Sequence, residues 1–148
     1  MKHTSMVNFS RRARLPDRTS AVLALIWLLA ACSPAASRGR ISFVEPADGA
    51  TVSSPVHVTM SAENFTVEPA GEVRAGAGHL HIIVGGECAA AGEAVPRDDT
   101  HLHYGNGQLQ ADLELAPGTY RLCLQAANGA HVALAGDGMT HTINITVK

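Results

Sequence analysis

Two histidine pairs with the same spacing are the residues of this sequence best suited to chemistry. His79 and His81 flank one leucine, and His101 and His103 flank another further along the chain. In a β-strand, residues i and i+2 project from the same face about 6.5 to 7 Å apart. Zinc and copper accept three or four neutral imidazole nitrogens. The two pairs therefore predict a shared copper or zinc site, in which His131 is a further candidate ligand.

An alternative interpretation treats both pairs as ordinary polar faces of half-buried strands. A single pair would favour this interpretation, and the second pair favours metal binding. The strand phase indicates where such a site would lie. Leu80 and Ile82 form the apolar face of the first motif, so His79 and His81 are predicted to point outward, onto a sheet face or its rim.

Strand phase also separates two other histidines from the predicted site. His57 alternates with apolar neighbours and is predicted to face solvent, whereas His141 shares its phase with Ile143 and is predicted to begin a strand at the edge of the core. Near the second pair, Asp98 and Asp99 are candidate acceptors for the second ring proton of an imidazole. They fit a solvated loop equally well.

Residues 1–31 have the pattern of a lipoprotein signal peptide. Several cationic residues precede an apolar run at 21–30, which is too short to span a membrane. The run ends in Leu29-Ala30-Ala31-Cys32, which looks like the lipobox of bacterial lipoproteins, although Ala30 and Ala31 also fit an ordinary cleavage site. Lipidation of Cys32 would anchor the protein in a lipid bilayer. Ser33 favours the outer membrane, with the domain facing the periplasm.

The remaining chain divides into a tether at 32–40 and one domain at 41–148. After Cys32 there are six basic and twelve acidic residues, which give a net charge of −6 with neutral histidine. This acidic balance, without a basic stripe, predicts no binding to nucleic acid and is compatible with collecting cations.

Two further cysteines, Cys88 and Cys123, remain for the folded domain. An even pair in an oxidising envelope compartment predicts a disulfide. The alternative is a cysteine ligand to a metal ion.

The domain reads as a series of short strands separated by glycine and proline turns, without helical periodicity. Seven such strands favour an all-β fold, an immunoglobulin-like antiparallel β-sandwich. The predicted strands lie near 41–44, 56–62, 65–67, 79–84, 109–115, 119–125 and 142–147.

Several segments of the chain together resemble one bacterial envelope family, domain of unknown function 4399. The resemblance implies a secreted all-β domain and no known activity. It places His131 where the family often has a histidine, whereas His141 matches no family motif and the two cysteines are a local addition. The segments are 46–56 (PADGATVSSPV), 78–81 (GHLH), 101–108 (HLHYGNGQ), 115–118 (LAPG), 120–124 (YRLCL) and 143–147 (INITV).

These patterns predict an envelope lipoprotein that binds copper or zinc for storage, delivery or sensing. The alternative is an adhesion or scaffold module without metal. An enzyme would require an open coordination position on the ion. A weaker resemblance to copper/zinc superoxide dismutase lacks the bridging-histidine loop, and no nucleophile elbow indicates a hydrolase. The sequence therefore favours a non-enzymatic role.

The lipid anchor can be tested directly. We expect the wild-type protein to incorporate labelled palmitate in a bacterial host, and Cys32→Ala to abolish incorporation because the acylated thiol is removed. Absence of label from the wild type would contradict the prediction.

Overall fold

The computed structural model describes residues 38–148. The predicted signal peptide, Cys32 and most of the tether lie outside the described residues. Residues 38–148 form an all-β fold without a helix, so this part of the chain contains no helix that could cross a membrane. The nine strands are β1 (Arg40–Glu45), β2 (Thr51–Val52), β3 (Val56–Glu63), β4 (Thr66–Val67), β5 (Ala77–Val84), β6 (His101–Tyr104), β7 (Gln110–Leu113), β8 (Gly118–Ala127) and β9 (Thr140–Val147).

The strands form two sheets that pack as a sandwich. The smaller sheet has the order β1-β3-β7, and the larger has the order β2-β9-β8-β5-β4, with β6 also paired to β5. Most pairs are antiparallel. The short pairs β2 with β9 and β4 with β5 are parallel, so the sandwich is not antiparallel throughout.

Alternating apolar side chains of both sheets make up the core. Leu80 and Ile82 of β5 are fully buried there, as are Leu122 and Leu124 of β8. They meet residues of the smaller sheet such as Val58. The strand phase deduced for β5 is therefore confirmed, because Leu80 and Ile82 lie on the inner face of the larger sheet together with these two residues of β8.

All seven predicted strands are present, and two strands were not predicted. β2 has two residues, too few to show an alternating pattern, and it is stabilised by pairing with the end of β9. β6 contains the second histidine pair. Its four residues are partly exposed, so they carry little of the apolar alternation by which strands are recognised in sequence.

Two loops cover the outer face of the larger sheet. The segment after β5 and the segment after β8 bridge each other at Ala94 and Val132. Val95 and Ala133 pack there on Ala127 of β8, forming a second small apolar cluster. As a result β5 is buried on both faces, because one face meets the core and the other lies beneath the loops.

A disulfide fixes the first of these loops to the sheet. Cys88 and Cys123 are joined, with their Cα atoms 5.7 Å apart, and Cys123 is fully buried on β8. The predicted pairing is confirmed. The crosslink attaches the start of the loop that follows β5 to the outer face of the neighbouring strand.

Replacing both cysteines by alanine should destabilise the domain. The disulfide joins residues 35 apart in sequence, so its loss should lower the free energy of unfolding by about 3 to 4 kcal/mol through the greater entropy of the unfolded chain. Urea denaturation of the oxidised wild type and of the double variant measures the difference. Equal midpoints, or two alkylatable thiols in the native protein, would contradict this expectation.

Candidate metal centre

Strand β5 places His79 and His81 on its outer face, side by side beneath the covering loops. Both are fully buried, with 0% of each residue exposed. They point away from the core onto a sheet face, as expected, and this face is covered. The loops and the disulfide cover that face, which sequence alternation alone does not reveal.

The pairing of β5 with β6 adds His103 to the same face. His103 lies directly opposite His81 in the antiparallel register, and directly opposed side chains share one face of a sheet. The ring of His103 lies over Gly105, where a Cβ atom would come within 2.1 Å of its Cε1 atom. A side chain at position 105 would therefore displace the imidazole.

A tight turn after β8 brings in His131. The side-chain oxygen of Asn128 accepts hydrogen bonds from the backbone N–H groups of Ala130 and Val132, and the backbone carbonyl of Asn128 accepts one from the backbone N–H of His131. His131 has a φ of 64°, in the left-handed region that residues other than glycine seldom adopt. Such conformations concentrate at functional sites, where surrounding structure holds them in place.

The four imidazoles form one compact group. Donor nitrogens of His79, His81 and His103 all lie within 4.8 Å of one another. The Nε2 atoms of His79 and His81 are 3.0 Å apart, and so are those of His103 and His131. Two nitrogens at roughly 2.0 to 2.1 Å from one ion are separated by about 2.9 Å at a right angle and by about 3.3 Å at a tetrahedral angle. The observed spacings match this range.

The environment keeps the four imidazoles neutral. Burial first of all, and then the neighbouring imidazoles and Arg97, lower the pKa of His79 to about 4 and that of His81 to about 3. Burial and the positive charge of Arg97 also lower the pKa values of His103 and His131. Neutral imidazole is the form that binds a metal ion.

Unpaired polar atoms are concentrated beside the two buried histidines. Among the described side chains, the buried nitrogen and oxygen atoms without a hydrogen-bond partner are the Nδ1 atoms of His79 and His81 and both amide atoms of Gln125. Gln125 lies opposite His81 on β8. Each unpaired buried group costs about 1 to 3 kcal/mol. All of these atoms belong to the two buried histidines or to the residue paired with one of them.

His101, also predicted as a ligand, lies outside this group. Its Nδ1 atom is 2.8 Å from Oδ1 of Asp98, which also accepts hydrogen bonds from Thr100. These bonds hold the pKa of the Asp98 carboxyl below its usual value, with Thr100 contributing most. Asp98 does accept from an imidazole, as one interpretation expected. The imidazole belongs to His101, however, so the contact orders the start of β6.

The two histidines that strand phase separated from the site are also apart from it in the structure. His57 is exposed and bonds Asp112 at 2.8 Å on the smaller sheet. The Nδ1 atom of His141 accepts a hydrogen bond from the backbone of Phe43 at 3.1 Å.

Two residues of the site were not anticipated from the sequence. Gln125 alternates with core leucines and looks like a solvent-facing residue of β8, and only the loop cover makes it buried. Arg97 lies in the loop before β6, where its guanidinium donates a hydrogen bond to Nε2 of His131. No local pattern marks Arg97, because the contact depends on how two loops meet.

Comparison with known proteins assigns the chain to a family. The family described as domain of unknown function (DUF4399) matches residues 58–148, and the chain belongs to it. The matched residues begin after the segment 46–56, which resembles the family's N-terminal signature. None of the curated proteins matches the chain.

One solved structure, the endo-β-1,4-mannanase from Thermotoga petrophila, is similar at 16% sequence identity and a TM-score of 0.48. The similarity covers 79% of this chain and 21% of the mannanase. The chain thus corresponds to about a fifth of that enzyme's length, and a likeness of this size is no guide to activity.

The buried neutral histidines should make the metal-free domain sensitive to acid. The pKa values of His79 and His81 lie below 6.5 in the folded state, so as pH falls the unfolded chain takes up their protons first. The free energy of unfolding should be highest above about pH 6.5 and decline toward about pH 4, by about 1.4 kcal/mol per pH unit for each such histidine.

Urea denaturation in the presence of a chelator measures this slope. His81→Leu, which removes one titrating group at similar volume, should reduce the slope. His57→Ala, on the smaller sheet, is the control for loss of a histidine outside the site. A free energy of unfolding that stays constant between about pH 7 and about pH 5 would contradict the prediction.

Proposed function

We propose that this domain binds one copper or zinc ion through His79, His81, His103 and His131. The observation that carries the proposal is the convergence of imidazole nitrogens from three parts of the chain, with two Nε2 pairs 3.0 Å apart. Imidazole is a preferred ligand of both metals, and four neutral donors suit a tetrahedral or flattened coordination.

The burial of the four donors is graded. His79 and His81 are fully buried, His131 is half-buried and His103 is exposed. An ion can therefore reach the group from the side of His103 and displace little protein. Such an arrangement suits reversible uptake and release. We propose storage, delivery or sensing of the metal as the physiological role.

We further propose that the domain is anchored at the bacterial envelope through acylated Cys32. The support is the lipobox-like sequence before Cys32, together with the disulfide between Cys88 and Cys123. Disulfides persist in oxidising compartments such as the periplasm. A metal-binding domain held on a membrane would concentrate its ion near the envelope.

Calorimetric titration of tag-free protein with copper and zinc tests metal binding. The wild type should bind one ion at micromolar protein concentration. His103→Ala should weaken binding by about tenfold or more, since it removes one donor. This variant should fold normally because His103 is exposed. The paired replacement of His79 and His81 by alanine should abolish binding, with circular dichroism to verify its fold.

Two further variants sharpen the result. His57→Ala removes an exposed histidine on the other sheet and should bind metal as the wild type does. Gly105→Ala keeps every donor but displaces the His103 ring, so it should also weaken binding. Wild-type protein that binds neither metal, or equal binding by His103→Ala, would favour the scaffold module instead.

A further inference from the structure

Arg97 lies at the rim of the imidazole group. Its guanidinium donates a hydrogen bond to Nε2 of His131, and that same nitrogen lies 3.0 Å from Nε2 of His103. The guanidinium is therefore bonded to a nitrogen that is itself a proposed ligand of the ion. It also competes for the fourth donor, because a single lone pair on Nε2 cannot accept from Arg97 and bind the ion simultaneously.

The charges around the site are unbalanced. Four neutral imidazoles contribute no negative charge, whereas a divalent ion and Arg97 together contribute three positive charges. Among the described residues, Arg97 is the cation whose charge lowers the pKa values of all four imidazoles. The neighbouring carboxylate of Asp98 is engaged by Thr100 and His101. The loaded site would thus lack a balancing carboxylate among the described residues.

We propose that the loaded site takes a small planar oxyanion, of the carboxylate or carbonate class, held between the ion and Arg97. This inference rests on the proposed metal-binding function. A guanidinium presents parallel N–H donors that match a planar oxyanion. The open side at His103 leaves room for a small group, since that residue is exposed.

The anion and the ion should assist each other. When the guanidinium bonds the oxyanion, it releases Nε2 of His131, which becomes free to bind the ion. The anion therefore raises metal affinity, and by linkage the ion raises anion affinity by the same factor. A site without Arg97 would have His131 free from the outset and would show no such coupling.

The test measures copper(II) affinity by chelator competition at about pH 7.5, in perchlorate and then in acetate or bicarbonate at equal ionic strength. Competition by the anion for free copper is subtracted using a protein-free titration.

Copper electron paramagnetic resonance of the loaded protein reports anion binding directly. Cobalt(II) serves as the spectroscopic probe if zinc is the ion that binds. The wild type should bind metal about tenfold more tightly with the anion present, and its spectrum should change.

Variants separate the role of Arg97 from a general salt effect. Arg97→Gln should reduce the coupling to less than about twofold, and Arg97→Lys should give an intermediate value because it keeps the charge without the planar donor pair. Arg40→Gln, on the smaller sheet, is the matched control and should behave as the wild type. If Arg97→Gln does not fold, Arg97→Lys and the wild-type coupling decide the result.

The outcomes are distinguishable. Metal binding without coupling in the wild type, or full coupling in Arg97→Gln, overturns the anion site and leaves the proposed function standing. Failure of the wild type to bind metal in any salt overturns the proposed function itself. Coupling with acetate alone assigns carboxylates as the ligand, and coupling with bicarbonate alone assigns carbonate.

Discussion

The covering of the outer face of β5 and β8 determines the character of the candidate site. An exposed histidine pair on a strand would be hydrated and would titrate near its ordinary pKa of about 6.5. Here two loops exclude water, and His79 and His81 are buried and remain neutral well below that value. The disulfide between Cys88 and Cys123 attaches one of these loops to the sheet. A crosslink that takes no part in binding therefore helps to keep the imidazoles buried.

Burial of this kind has an energetic cost that the rest of the fold must offset. The unpaired ring nitrogens of the two histidines and the amide of Gln125 would each be satisfied by water in the unfolded chain. The apolar core between the sheets provides the compensating stabilisation, with Leu80 and Ile82 on the opposite side of the same strand. One face of β5 therefore stabilises the fold through burial of apolar side chains. The other face lowers the stability through its unpaired polar atoms.

Much of this arrangement could be predicted from the sequence, because it follows from alternation along single strands. The phase of β5, the exclusion of His57 and the inner face of β8 all follow from a two-residue period. The residues that other segments bring to His79 and His81 could be predicted less well. His101 and His103 have identical spacing to the first pair, yet only His103 faces His81, and the register that decides this is a long-range property. Arg97 and Gln125 acquire their positions from loop packing, which leaves no periodic signal.

The four proposed ligands come from three segments of the chain, and this affects the order of folding and metal binding. In the unfolded chain only adjacent histidines are near one another, and the full donor set arises once β5 has paired with β6 and the turn at His131 has closed. Under the proposed function, an unfolded chain would therefore hold a metal ion only loosely and could exchange it quickly. If the domain binds metal as proposed, selection among competing ions would take place after folding, when the geometry of three separate segments, rather than raw affinity for imidazole, would discriminate between them.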